Sequence, residues 1–117
     1  MIEHTALHVN DLAKSKEFYT KALAPLGYAP SHDYGTTLGF AADGKTDFLI
    51  KGDGAANKKI HIAFSSPDTK SIDAFYRAAM AAGAKDNGPP GPREEYGYAA
   101  FVFDPDGNNI EAVAFGK

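Results

Sequence analysis

Apolar and polar residues alternate with period two along residues 2–9 (Ile-Glu-His-Thr-Ala-Leu-His-Val) and again along 60–65 (Ile-His-Ile-Ala-Phe-Ser), which predicts a two-faced strand in each place. After each strand the spacing changes to that of a helix. Ile72, Phe75, Tyr76, Ala79 and Met80 fall at i, i+3, i+4, i+7 and i+8, an apolar stripe suited to docking on a sheet. Phe18, Tyr19, Ala22 and Leu23 make the matching stripe earlier in the chain. Asp11 is the expected cap of the first helix. Ser66 and Pro67 are the expected N-cap and first position of the second, with Asp68 in its first turn. Gly27 and Gly83 stand where a left-handed glycine ends a helix. Three more strands are predicted in each half, near 28–33, 36–42 and 46–51 and near 84–88, 97–104 and 108–115, with Asp43-Gly44 and Asp106-Gly107 as hairpin turns. The order is βαβββ, twice.

The two halves are also alike residue by residue. A shift of 57 positions places His4 on His61, Ala6 on Ala63, Asp11 on Asp68, Phe18 on Phe75, Tyr19 on Tyr76 and Ala22 on Ala79. Toward the end of each half the shift grows to 63, so that Phe40 falls on Phe103 and Asp43-Gly44 on Asp106-Gly107. Such a repeat within 117 residues predicts one α+β domain of two βαβββ modules sharing a core, one of about 1–56 and one of about 57–117.

Strand alternation puts His4 on a face with Ile2, Ala6 and His8, away from Thr5, Leu7 and Val9. His61 shares its face with Ala63 and Ser65, and Glu111 shares one with Asn109 and Val113. The bulky faces should meet the helices, leaving small residues and histidines toward a cleft. A carboxylate in an otherwise apolar last strand needs a partner. Two imidazoles and a carboxylate, His4, His61 and Glu111, make a facial ligand set for a divalent metal with positions left open for substrate. A single strand histidine is more commonly a hydrogen-bonded structural residue; the recurrence of the histidine at one place in both modules is what favours a shared site. In the first module the position matching Glu111 under the 63-residue shift is Phe48, which is no ligand.

Composition narrows the partners. Twelve basic and fifteen acidic residues give a net charge of −3, and the lysines are scattered apart from Lys58-Lys59, which argues against nucleic acid. With no cysteine, any metal is bound through nitrogen and oxygen, a set that suits zinc, nickel, manganese, cobalt or ferrous iron. No signal-like start and no run near the roughly 18 apolar residues of a membrane span is present, so a cytoplasmic protein without a membrane partner is expected. Around the cleft, His8 follows on the His4 face. The stretch Gly88-Pro-Pro-Gly-Pro-Arg-Glu-Glu-Tyr-Gly97 reads as a lid loop in which Arg93 holds an anionic substrate group and Tyr96 or Tyr98 donates a hydrogen bond. Solvation is the more ordinary fate of such side chains. Phe40, Phe48 and Phe101 are candidates for an apolar wall or for the core.

Ile-Glu-His-Thr-Ala-Leu-His-Val-Asn-Asp-Leu near the start, Ile-His-Ile-Ala-Phe in the middle and Asp-Pro-Asp-Gly-Asn-Asn-Ile-Glu near the end together resemble the vicinal oxygen chelate superfamily of glyoxalase I, fosfomycin-modifying thiol transferases, methylmalonyl-CoA epimerase, extradiol dioxygenases and bleomycin-resistance proteins. The resemblance covers essentially the whole chain. It implies paired modules forming an open, barrel-like mixed sheet around one divalent metal held by His4, His61 and Glu111, with Glu111 also the candidate catalytic group. It also implies a homodimer whose modules are exchanged, so that His4 completes a site in the partner. Phe48 departs from glyoxalase I, where a further glutamate binds metal and moves the substrate proton. Two readings follow: a metal-dependent enzyme acting on a small molecule with neighbouring oxygens, or a metal-free sequestering protein of the bleomycin-resistance kind.

Overall fold

A computed structural model of the chain describes residues 2–53, 59–94 and 97–115. The first module contains β1 (Thr5–His8), α1 (Leu12–Leu23) with a 3-10 turn at Ala24–Leu26, β2 (Ala29–Asp33), β3 (Thr37–Ala42) and β4 (Lys45–Lys51). The second contains β5 (His61–Ser65), α2 (Thr69–Ala81), β6 (Lys85–Arg93), β7 (Gly97–Phe103) and β8 (Asn109–Phe115). Each module folds into a four-stranded mixed sheet, ordered β1-β4-β3-β2 and β5-β8-β7-β6. The first strand of each lies parallel to the last, and the others pair antiparallel. The α+β architecture of two βαβββ modules with open, unclosed sheets is thus the one the repeat predicts. Among the described residues no helix is long and apolar enough to cross a membrane.

The helices begin where carboxylates cap them. The Asp11 side chain accepts from Lys14 N at 3.1 Å, and Asp68 from Ser71 N at 2.8 Å. The second cap corrects the expectation of Ser66 with Pro67 at the first helical position. Asp68 is itself extended (φ −157°, ψ 170°), so α2 starts only at Thr69, and Ser66 Oγ instead donates to Asp68 O at 2.8 Å. Gly27 (φ 92°) and Gly83 (φ 102°) end the helices in the left-handed conformation, as their positions predict.

Both stripes enter one core. Phe18, Tyr19, Ala22 and Leu23 of α1 and Ile72, Phe75 and Ala79 of α2 are buried against Leu7, Val9, Phe40, Phe48, Ile50, Val102 and Ile110. Aromatic edge-to-face contacts start within the first module, from Tyr19 to Phe48 (5.1 Å between ring centroids), and cross the module boundary from Phe48 to Phe64 (5.2 Å) and from Phe64 to Tyr28 (5.4 Å). A polar clasp crosses it as well. The buried Tyr19 hydroxyl donates to Asp104 Oδ2. Asp104 Oδ1 accepts from the backbone N–H of Asp106 (2.9 Å) and Asn108 (2.8 Å), and Asn108 Oδ1 accepts from Ile60 N at 3.0 Å. The Asp-Pro-Asp-Gly-Asn turn therefore ties the β7–β8 connection to α1 and to the entry of β5.

Two expectations about strand placement are corrected. In the β3–β4 ladder Phe40 pairs with Phe48 but Ala41 with Thr46, so a bulge at Asp47 puts β4 one residue out of step with its hairpin. The strand equivalences are consequently one residue less than the hairpin shift: Ala6 pairs with Leu49, and Ala63 with Glu111. Leu49, not Phe48, occupies the position of Glu111. The predicted lid is also largely strand. β6 continues to Arg93, because an edge strand tolerates Pro89, Pro90 and Pro92, whose missing N–H groups cost little there.

Candidate metal and substrate site

Ala100, Val102, Ile110 and Ala112 of the second sheet belong to the helix-packed core, so the intervening Phe101 and Glu111 face the other way. Glu111 is only 6% exposed, and its carboxylate Oε1 meets the Nε2 of the half-exposed His61 at 2.8 Å. An imidazole N–H donating to this carboxylate satisfies a charge that the apolar strand otherwise leaves stranded. The register makes the meeting possible. Ala63 is the ladder partner of Glu111, and His61, two residues earlier on the same face, leans over it. Phe101 stands beside Glu111 in the next ladder, with its ring centroid 6.2 Å from that of His61. The Arg93 guanidinium carbon lies 5.5 Å from the centre of the same ring.

The equivalent face of the first module is arranged differently. His4 is exposed, and its Nδ1 meets the carboxylate of Glu3, which holds that carboxyl below its ordinary range. The Nδ1 of His8 donates to both oxygens of Asp53, at 3.0 and 2.9 Å. That contact fixes the ring through Nδ1, the way a carboxylate orients a ligating imidazole. Asp53 escapes a reading of the sequence because it lies 45 residues from His8, yet the parallel pairing of β1 with β4 brings their ends together. His32 is a further histidine not singled out by pattern: it stacks on Tyr34 at 5.7 Å and 8° and approaches Thr46 Oγ1 at 3.2 Å.

His61 and Glu111 are therefore brought together, and His4 does not join them: among the described residues no three His, Asp or Glu side chains are grouped to hold a metal ion. Phe48 is 1% exposed and packed among Tyr19, Phe40 and Phe64, and Phe40 is fully buried, so both are core residues and only Phe101 of the three phenylalanines sits beside the pair. Tyr98 lies on the helix side of β7, where its hydroxyl donates to Asp73 Oδ1 of α2 at 2.7 Å; that bond and burial hold its hydroxyl above the usual tyrosine range. It does not face the pair. Tyr96 lies outside the described residues.

A family model, Glyoxalase/Bleomycin resistance protein/Dioxygenase superfamily, matches residues 1–112. The chain belongs to this superfamily. Solved structures agree over nearly all of its length. A glyoxalase/bleomycin resistance protein from Albidiferax ferrireducens is 30% identical with a TM-score of 0.84, covering 97% of this chain and 98% of that one. Two more distant relatives share the fold: a lactoylglutathione lyase from Agrobacterium tumefaciens (19% identity, TM-score 0.73, 97% and 92% covered) and a glyoxalase-related enzyme from Fulvimarina pelagi (18%, 0.75, 97% and 87%). Comparison with curated proteins gives no match. Against the divalent metal that the resemblance implies, the residues of one chain fit in part. His61 Nε2 and Glu111 Oε1 meet at 2.8 Å and are donor atoms of the right chemistry, while a third donor must come from elsewhere.

Proposed function

We propose that this member of the glyoxalase/bleomycin resistance protein/dioxygenase superfamily is a small metal-dependent enzyme, acting as a cytoplasmic homodimer on a small molecule with neighbouring oxygens. His61 and Glu111 of one copy are two ligands, and the exposed His4 of a second copy is the third. The observation that carries this reading is the buried carboxylate of Glu111 aimed at His61 Nε2, 2.8 Å away. A divalent ion bound there supplies Lewis-acid stabilisation of an enolate or oxyanion. The chain's own part is to hold the two donors, keep Glu111 shielded from water, and present the half-exposed face of His61 and Phe101 to the substrate. Glu111 is the candidate catalytic group, and His8, oriented by Asp53, lines the opposing module's face.

A second reading, a metal-free sequestering protein, is favoured by Leu49, which puts an apolar side chain where the other module has Glu111. Elemental analysis of protein purified without a chelating tag decides between them. The enzyme reading expects roughly one divalent metal per chain in the parent and far less in His61→Ala. Equal content in both, or a melting temperature unmoved by saturating zinc, nickel, manganese or ferrous iron, leaves the sequestering protein.

A further inference from the structure

Arg93 is an odd residue to find at the end of a strand made of glycine and proline. Its side chain folds back along β6, where Nη1 donates to Gly91 O at 2.9 Å and Pro92 O at 3.4 Å and Nη2 donates to Pro89 O at 3.0 Å. The guanidinium lies over the two glycines: a Cβ on Gly88 would stand 3.4 Å from Nη2, and one on Gly91 3.4 Å from Nη1, both in ordinary van der Waals contact. Phe101 forms the floor, 5.5 Å below the guanidinium carbon, and the same ring borders His61. Carbonyls and an aromatic face orient a guanidinium, but neither neutralises it. Among the described residues no carboxylate forms an ion pair with Arg93. Three of its five N–H groups are occupied, which leaves Nε–H and one Nη2–H, the pair that forms a side-on fork.

We propose that Arg93, pinned to the β6 carbonyls and stacked on Phe101 beside His61, is the anion anchor of the cleft, so that the substrate carries a carboxylate or phosphoryl oxyanion in addition to the oxygens held at His61 and Glu111. This rests on reading the His61–Glu111 face as the substrate site. A planar two-donor fork in a fixed place selects planar or tetrahedral oxyanions over neutral groups, and it recognises them without help from the metal ligands.

The test is an NMR titration of the arginine Nε–H resonances with sodium propionate, sodium methylphosphonate and, as the neutral control, propionamide. One resonance, absent in Arg93→Lys, moves saturably with at least one anion and not with propionamide; the anion that binds more tightly names the substrate's group. Followed by backbone amides of β7 and β8, affinity falls about tenfold or more in Arg93→Gln and measurably in Arg93→Lys, which keeps the charge and loses the fork. Melting curves of both variants report any loosening of β6, and Arg93→Lys decides the matter if Arg93→Gln is unstable. A parent that responds to neither anion, or a folded variant that titrates like the parent, overturns the proposal. Metal content is unchanged in both variants because arginine ligates no metal here. A parent that binds no metal therefore sinks the enzyme reading while the Nε–H titration still decides this one.

Discussion

Leu49 and Glu111 occupy the same register position in the two modules: Leu49 is the ladder partner of Ala6, two residues beyond His4, and Glu111 is that of Ala63, two residues beyond His61. In the second module that geometry delivers a 2.8 Å contact between His61 and the carboxylate. In the first it delivers nothing to His4, which turns to its neighbour Glu3. Leu49→Glu is expected to recreate the contact at His4, since Leu49 is only partly buried and faces away from the core. Zinc titration should then show affinity at least about tenfold above the parent, the gain of one charge-assisted ligand. An unchanged affinity would mean that His4 lies outside the metal site.

His61→Ala tests the pair from the other side. Removing the imidazole leaves Glu111 buried without the donor it now has, a loss of about 1–3 kcal/mol. Replacing Glu111 by Leu in the same chain removes the stranded charge, so the double variant should be more stable than His61→Ala alone. Urea midpoints of the parent, the two single variants and the double variant measure the coupling. Strictly additive losses would show that the contact contributes nothing.

How much of this was legible in advance depends on whether local pattern or long-range register decides. The βαβββ repeat, both helical stripes and the left-handed glycines are written in spacing and residue type. The hairpin spacing matches Glu111 to Phe48, because a bulge at Asp47 is a property of the β3–β4 ladder and leaves no mark in the sequence. Sequence pattern ends β6 at 88 because three prolines argue against a strand in general, though not against an edge strand, and which strand is the edge follows from topology. Residue type alone suggests the cleft for Tyr98, whereas its alternation with the buried Ala100 and Val102 places it on the helix side.

The cap of α2 gives a discriminating pair of variants. Asp68→Ala should lower the melting temperature measurably, because its carboxylate satisfies the Ser71 N–H at the helix start, whereas Ser66→Ala should lower it less. The Asp68 carboxyl is held below its ordinary range by the Ser71 N–H. Its contribution is therefore present above the unfolded carboxyl's pKa and is lost as pH falls through the lowered folded one. The melting difference between the parent and Asp68→Ala should thus shrink in acid. The reverse ranking of the two variants would restore Ser66 as the cap.

The clasp between the modules predicts an alkaline weakness. Burial first, and then the facing Asp104 carboxylate, push the Tyr19 hydroxyl well above the usual tyrosine range. A tyrosine that ionises freely when unfolded but not when folded contributes stability that is complete below pH 10 and is lost as pH rises toward the folded value, because the unfolded chain then gains by releasing the proton. Tyr19→Phe removes that liability along with the hydrogen bond to Asp104. At neutral pH the variant should be less stable by about 1–2 kcal/mol, since one buried Asp104 oxygen loses a donor while keeping Asn108 Nδ2 at 3.0 Å. Above pH 10 the parent should lose stability faster than the variant and the gap should close. Tyr28, Tyr76 and Tyr98 are also raised, but they are common to both chains and drop out of the comparison. Urea midpoints measured at neutral pH and at two points above pH 10 give the slopes. Parallel slopes would mean that the Tyr19 hydroxyl reaches water, and that the two modules are not joined through it.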